Sequence, residues 1–237
     1  MKLPIGYVSR NRPMSAHTRL KFTSLAVAIS AVTGCARRGA PAATREPAPV
    51  EAPSSAAAIP LAAMAGRPVV VLPVQYVTFV DSASRRQDSP LAVQYLASMD
   101  DSIASALADR GLTGWTFARG ITASARRNEG MTADPHALSA ERFRRLVKAG
   151  DDALPEPLGS QIRSLVALRE ARYVILPAAL RIENRIVGGR GSLLVYLIDT
   201  RTERVAWSGE VRGEGTLSIA QAIGRTAQHL ADLVTAR

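Results

Sequence analysis

The sequence predicts an α/β domain of the α+β type, in which helices pack on a mixed β-sheet in the order β-α-β-(insert)-α-β-β-β-α. Three observations support this fold class. A continuous run of largely β-branched residues lies at 68–74, and apolar residues recur at three- and four-residue spacing over 90–110, which is typical of a helix. Two β-rich runs, 192–199 and 203–211, are separated by only three residues, which indicates a hairpin.

The first predicted strand, Pro68–Val74, is a continuous apolar run, and such runs are typical of strands buried on both faces. Residues 75–80 extend it past Pro73, where we expect a bend or a sheet edge. A helix is predicted to begin at Pro90, because proline is favoured in the first helical turn, and to end at Gly111. Its apolar face consists of Leu96, Met99, Ile103 and Leu107.

The middle of the chain has the weakest pattern. Residues 115–118 predict a second short strand after a glycine-containing turn. The insert at 119–157 is predicted to contain an exposed loop at 126–130, a short helix over 138–148 and a further loop over 151–157. These segments lack the sustained periodicity that marks long helices and strands.

The C-terminal part of the chain has regular patterns again. Apolar spacing predicts a helix over 158–171, followed directly by a strand over 172–183. The hairpin strands 192–199 and 203–211 come next, after a glycine-rich turn. A final helix over 218–235 carries one apolar stripe and closes the domain.

The segment Thr18–Cys35 has the three parts of a secretory signal: a basic start, an apolar run over 22–32 and two small residues before the cysteine. The apolar run is too short to cross roughly 30 Å of membrane hydrocarbon, which takes about 20 residues. A retained transmembrane helix is therefore the weaker alternative. Met14 offers a second start of translation, so the signal peptide occupies 1–34 or 14–34.

The end of this segment, Val32–Cys35, resembles the bacterial lipobox, in which an aliphatic and two small residues precede a cysteine. The resemblance implies lipidation of Cys35 with diacylglycerol, cleavage before it and acylation of the new amino group, for example with palmitate. Several acyl chains anchor a protein firmly, whereas one does so only marginally. A chance cysteine after an ordinary secretory signal is the alternative. Ala36 follows, and the sorting rule of some Gram-negative bacteria then implies the outer membrane.

A low-complexity segment follows the cysteine. Residues 36–66 contain five prolines and many alanines without apolar periodicity, which predicts an extended or disordered tether. Packing of 59–64 onto the domain as an extra turn is the alternative. The predicted organisation is a signal peptide at 1–34, a lipidated cysteine and tether at 35–66, and a single periplasmic domain at 67–237, long enough to bury a core.

The charge does not indicate nucleic-acid binding. The formal net charge is +10, but five basic and no acidic residues precede Cys35, so the remainder carries +5. Nucleic-acid sites cluster such charges with aromatic residues. The one local cluster is Arg142, Arg144, Arg145 and Lys148, a pattern typical of a solvated helix face. The excess reflects an arginine-rich composition, and contact with anionic lipid headgroups or cell-wall polymer is the alternative.

Longer stretches of the domain resemble a known group of periplasmic domains. The strand Val69–Val74 with the helix over 90–110 resembles the start of these domains. Glu170–Pro177 and Leu194–Ser208 are similar to their later helix-to-strand junction and Asp-Thr-turn-Val-Trp hairpin. The group comprises the TolB amino-terminal domain, the curli secretion lipoprotein CsgG and the lipoprotein activators of penicillin-binding proteins. The resemblance implies binding and scaffolding rather than catalysis. Arg201 or Glu203 stands where the hairpin turn of the group usually carries glycine.

No catalytic motif is present. His136 and His229 lack metal-ligand spacing, and no Gly-x-Ser-x-Gly sequence occurs. Asp100–Asp101 and Asp151–Asp152 are adjacent pairs that we expect to be solvated, because neighbours on a helix do not face each other. Gly188–Gly191 lacks the spacing of a phosphate-binding loop. We therefore predict no catalytic residue, no metal and no cofactor.

These observations predict a membrane-anchored periplasmic lipoprotein that acts as a binding or assembly module in envelope biogenesis, secretion or cell-wall synthesis. A protein partner would contact a sheet edge or the loop over 119–136, where Arg119, Arg126 and Arg127 are the candidate contacts; a solvated loop is the alternative. Two other functions remain open. A hydrolytic enzyme would assemble its site only in three dimensions, in a pocket with two or more titratable groups. A subunit of an oligomeric secretion channel would form rings.

Overall fold

The computed structural model describes residues 60–80, 90–147, 153–184 and 188–236, and the fold is given for these residues. The strands are β1 (Val69–Val71), β2 (Tyr76–Phe79), β3 (Tyr173–Asn184), β4 (Gly189–Asp199) and β5 (Arg204–Arg212). The α-helices are α1 (Pro90–Asp109), α2 (Ala118–Arg127), α3 (Leu158–Ala167) and α4 (Ile219–Thr235), with 3-10 turns at Leu61–Met64 and Glu141–Arg144. The predicted α+β class with a mixed sheet is confirmed.

Two short strands, β1 and β2, lie one after the other along the same side of β3. β1 and β2 both pair in parallel with β3, one after the other, while β3–β4 and β4–β5 are antiparallel. The break between β1 and β2 contains Pro73, and β3 has an irregularity between Pro177 and Ala179 at the same level. The expected bend at Pro73 is confirmed, because proline has no N–H to donate to a neighbouring strand.

The sheet is buried on both faces. Val69 and Val71 belong to the core formed with α1 and α4. Val70 and Leu72 belong to a second core with α2 and α3. Successive strand residues point to opposite faces, so burial on both sides explains the continuous apolar run at the start of the domain.

Two of the predicted helices are confirmed. α1 begins at Pro90, buries Met99, Ile103 and Leu107, and is followed by Gly111 with φ +85°. α4 begins after Ser218, whose side chain accepts a hydrogen bond from the Gln221 N–H at 3.2 Å. This N-cap satisfies one of the backbone donors that every helix start leaves free. Its stripe is buried at Ile223, Ala227, Leu230 and Val234.

The prediction of a strand at 115–118 is wrong. Only Thr116 pairs with β1, as an isolated bridge to Val70, and Ala118 already begins α2. The predicted exposed loop at 126–130 is wrong for Arg126 and Arg127, which form the last turn of that helix. The physical reason is that Ala118, Ile121 and Ala125 are buried at helical spacing.

The predicted helix over 138–148 is reduced to the 3-10 turn Glu141–Arg144 within the described part of that range. Leu138, Ala140 and Phe143 are the buried residues of this stretch, and their spacing does not continue as a helical stripe. α3 is also shorter than predicted, because it ends at Ala167 rather than at 171.

The packed domain begins before residue 67. Leu61 and Met64 are 3% and 0% exposed and belong to the core with α1 and α4. The alternative of an extra turn therefore holds for Leu61–Met64, while Ile59 and the signal and tether up to it lie outside the described residues. Among the described residues, no helix is both long enough and apolar enough to cross a membrane.

Candidate functional site

A cavity of about 680 Å³ opens between α1 and α2, and we call it the α1–α2 groove. Its α1 wall contains Val93, Leu96 and Ala97, and its α2 wall contains Ala118, Thr122 and Ala123. A cavity of about 580 Å³ shares Asp100, Asp101, Ala118 and Arg119 with it, at the start of α2. Another of about 540 Å³ shares Thr122, Arg126 and His136 with it, towards the end of α2. The three cavities form one trench along α2.

Helical periodicity places these side chains in the groove. On α1, Met99 and Ile103 enter the core, whereas Val93, Ala97 and Asp100 lie on a separate stripe that lines the groove. On α2, Ile121 and Ala125 are buried, whereas the groove takes the stripe of Arg119, Thr122, Ala123 and Arg126. Each helix therefore presents one face to the core and another to the groove.

Asp100 is a half-buried carboxylate in the groove wall. Its Oδ1 accepts a hydrogen bond from the Val74 N–H at 2.8 Å. Burial raises the pKa of Asp100 to about 7; the neighbouring Asp101 adds to the rise, while the Val74 bond opposes it. The expectation that the aspartate pair is solvated is thus wrong for Asp100, although Asp101 is exposed.

Asp101 holds the mouth of the groove together. The Arg119 Nε donates to Asp101 Oδ1 at 2.9 Å and its Nη2 to Oδ2 at 2.6 Å. This two-bond pair joins α1 to the first turn of α2 and gives a fixed geometry. The Arg119 side chain remains 84% exposed, so the pair orients the two helices and contributes little to the stability of the fold.

Arg126 is the cation of the groove without an ion-pair partner among the described residues. It is exposed in the last turn of α2. His136 lies next to it and contacts the Thr122 Oγ1 through Nε2 at 3.0 Å. Desolvation lowers the pKa of His136, with a further decrease from Arg126 and an opposing effect of Asp134. Arg126 therefore places a positive charge in the groove near the end of α2, while Glu129 and Asp134 line the adjoining cavity.

Buried Gln75 positions the segment that carries His136. Its Nε2 donates to the carbonyls of Pro73 at 2.7 Å and Pro135 at 2.9 Å. Its Oε1 accepts from the Leu138 N–H at 3.1 Å. A buried amide that is satisfied at several atoms holds its partners in one arrangement, and here it fixes the insert against the β1–β2 break.

The three predicted contact arginines do not share one site. Arg119 and Arg126 line the groove, whereas Arg127 is absent from its lining and donates to the Ser124 Oγ at 3.1 Å. Asp100 and His136 are groove residues that the sequence did not predict. The buried spacing of Ala118, Ile121 and Ala125 is the signal that could have placed α2. Cys35 lies outside the described residues.

The alternative contact surface, a sheet edge, is present in β5, which ends the strand order in the described part of the chain. Its first residue forms an isolated bridge to Ala153, and the Leu154 N–H donates to the Glu203 carbonyl at 2.8 Å. This end of the β5 edge is therefore covered by the insert.

Among the described residues, the groove contains a hydroxyl–imidazole pair but no carboxylate that orients the imidazole ring. No group of three metal-ligating side chains occurs among the described residues. The Thr122–His136 contact joins a hydroxyl to an imidazole, as in nucleophile–base pairs. However, the Asp134 Oδ1 accepts from the backbone N–H of His136 at 2.9 Å and not from its ring, whereas a catalytic triad orients the ring itself.

Comparisons with known proteins give likenesses at the level of structure. No family model matches the chain, and no curated protein matches it. It is similar to the LpoB C-terminal domain from Salmonella enterica, with 16% identity, a TM-score of 0.33, and 62% of this chain and 82% of that chain covered. It is also similar to a PelC dodecamer from Paraburkholderia phytofirmans, with 12% identity, a TM-score of 0.36, and 76% and 93% covered. It is similar as well to lipoprotein GNA1162 from Neisseria meningitidis, with 17% identity, a TM-score of 0.30, and 62% of this chain and 78% of that chain covered. Such likenesses do not transfer function.

Proposed function

We propose that this protein is a membrane-anchored lipoprotein of the bacterial envelope whose domain binds a partner protein through the α1–α2 groove. It acts there as a binding or assembly module in envelope biogenesis, secretion or cell-wall synthesis. The observation that carries the proposal is the groove itself, with an exposed apolar wall between two ionisable groups that have no ion-pair partner among the described residues.

The composition of the groove supports protein binding. Val93 is 57% exposed beside the partly buried Leu96, so apolar surface remains available to a partner. Arg126 stands at one end of that surface and Asp100 at the other. Apolar contacts surrounded by polar groups are the usual anatomy of a protein interface, and arginine is enriched there.

The leader supports the location. The lipobox-like Val32–Cys35 predicts an acylated amino terminus, and Ala36 favours the outer membrane. Residues 36–59 would then tether the domain, with a span on the order of 25 Å as a flexible coil and roughly 75 Å as polyproline II. In either form the groove can reach a partner beyond the membrane surface.

The test is site-specific photo-crosslinking of the full chain in its native host. A photoreactive residue in place of Val93 is expected to give a discrete adduct with a partner, because this side chain is exposed in the groove. The matched control is Leu233, an exposed apolar residue of α4 that is 44% accessible and outside the groove. Equal labelling from both positions, or adducts only with abundant bystanders, would contradict groove binding.

A hydrolytic function is the second candidate, because Asp100, with a pKa of about 7, and the Thr122–His136 pair line the same groove. These are the two or more titratable groups in a concave site that such an enzyme needs. Turnover of ester, peptide or glycoside substrates that disappears in Thr122→Val would establish it. Partner binding at the groove without turnover supports the first proposal.

A further inference from the structure

We infer that the occupant of the α1–α2 groove is an extended peptide segment of the partner protein with two opposite charges. A cationic side chain of the segment meets Asp100, and a carboxylate about three residues further along meets Arg126. An aliphatic side chain between them packs on Val93 and Leu96. This inference rests on the proposed function and specifies the chemistry of the partner.

The Asp100 end selects a hydrogen-bond donor. One carboxylate oxygen accepts from the Val74 N–H, while the other has no hydrogen-bond partner among the described residues. The nearby guanidinium of Arg119 is already bound to Asp101 through two hydrogen bonds. A carboxylate has only acceptor sites when ionised, and a charged N–H donor makes the strongest bond to it. Lysine or arginine of a partner fits this position.

The Arg126 end selects an acceptor with negative charge. Its guanidinium lines the groove, is exposed, and forms no ion pair with a described residue. Desolvation lowers the pKa of the neighbouring His136, which favours its neutral form, so Arg126 is the main positive charge at this end. A carboxylate can pair with a guanidinium through two parallel bonds.

The spacing of the two ends follows from helix geometry. The Asp101–Arg119 pair places Asp100 close to the start of α2, whereas Arg126 is seven residues after Arg119. Seven residues of helix advance about 10 Å. An extended peptide advances roughly 3.3 Å per residue, so its two charged residues lie about three positions apart.

The walls of the groove suit an extended chain, because its side chains point alternately to opposite sides and so place single side chains against the wall. The small side chains of Ala97 and Ala123 line the walls and leave room for one aliphatic side chain of the segment.

Selection from a library of random heptapeptides displayed on phage, with the immobilised full chain as the target, tests this inference. The wild type is expected to enrich peptides with lysine or arginine about three positions from aspartate or glutamate and an aliphatic residue between them. Arg126→Glu is expected to replace the selected carboxylate by a basic residue and to leave the other end unchanged. Asp100→Asn keeps the acceptor for Val74 and should lose only the preference for the basic residue.

The matched control is Arg127→Glu, since Arg127 lies next to Arg126 on α2 but outside the groove lining. For a peptide selected on the wild type, we expect at least about tenfold weaker binding by Arg126→Glu and unchanged binding by Arg127→Glu. Equal weakening by both variants, selection of purely acidic peptides, or no enrichment would overturn the inference. If photo-crosslinking at Val93 still succeeds in that case, the proposed function stands; if both experiments fail, it falls too.

Discussion

The carboxyl group of Asp100 lies between the sheet and the groove, and its environment makes it sensitive to pH. Its pKa in the folded state is about 7, against an ordinary value of 3.8. Protonated Asp100 therefore favours the folded state. This contribution is complete below about pH 4 and is lost as the pH rises through 7. Binding of a partner whose cationic side chain meets Asp100 would instead be favoured by ionisation of Asp100.

Replacement of Asp100 by asparagine should remove this pH dependence. The amide oxygen can still accept from the Val74 N–H, and the side chain carries no charge at any pH. Between pH 5 and pH 8, the wild type should lose roughly 1–2 kcal/mol of unfolding free energy relative to Asp100→Asn, a figure reduced for the half-buried site. Urea denaturation at both pH values measures the difference. Parallel profiles for the two proteins would contradict the buried environment; Asp109→Asn, at an exposed position of α1 outside the groove, is the control.

Other ionisable residues have structural roles. Asp199 at the end of β4 is 4% exposed and receives the Arg172 guanidinium at 3.0 and 2.5 Å, together with the Arg201 N–H at 3.0 Å. The Arg172 hydrogen bond lowers the pKa of Asp199 more than burial raises it. Asp199, the aspartate of the hairpin motif, thus joins the β4–β5 turn to the start of β3. Its role is structural.

The turn of the β4–β5 hairpin contains a residue in an energetically unfavourable backbone conformation. Glu203 precedes β5 with φ +54°, in the left-handed region, and this is one of the two positions where the resembling domains usually carry glycine. Its carboxylate pairs with Arg163, and its carbonyl accepts from the Leu154 N–H. These contacts hold a backbone conformation that a side chain disfavours.

Comparison of Glu203→Gly with Glu203→Ala measures the free-energy cost of this backbone conformation. Both substitutions remove the ion pair with Arg163, so the difference between them reflects the backbone preferences of glycine and alanine at this position. Glycine should be more stable than alanine by about 1 kcal/mol. Thermal or urea unfolding of the two variants provides the measurement. Equal stabilities, or a more stable alanine variant, would mean that the turn does not adopt this conformation.

The helices and strands that the sequence predicted correctly are those with a sustained hydrophobic pattern. α1 and α4 carry apolar stripes over four or more turns, and β3 to β5 are long β-rich runs, so their positions follow from local periodicity. α2 has only ten residues, and its three arginines favoured a loop. It forms because Ile121 and Ala125 are buried against the sheet, which is a tertiary contact. The shortened α3 shows the same limit at a helix end.

For the molecule as a whole, the proposed lipid anchor would decide where the groove can act. We expect intact mass analysis of the protein from its native host to show an amino-terminal Cys35 with diacylglycerol on sulfur and an acyl chain on nitrogen. Cys35→Ser should move the protein from the membrane to the soluble fraction, because no lipid can be attached through sulfur. Ala36→Ser keeps the cysteine and should keep the acyl groups. An unmodified Cys35 in native material would contradict the predicted anchor.

Local patterns in the chain were enough for the fold class, the hairpin and the two long helices, and they predict lipid attachment at Cys35, because each depends on residues that are neighbours in sequence. The groove depended on the tertiary structure. Asp100 and Arg126 are 26 residues apart in the chain and on different helices, and only the packing of α1 and α2 on opposite sides of β1 brings them to one cavity. Burial then raised the pKa of Asp100, an effect of surroundings that no spacing in the sequence encodes.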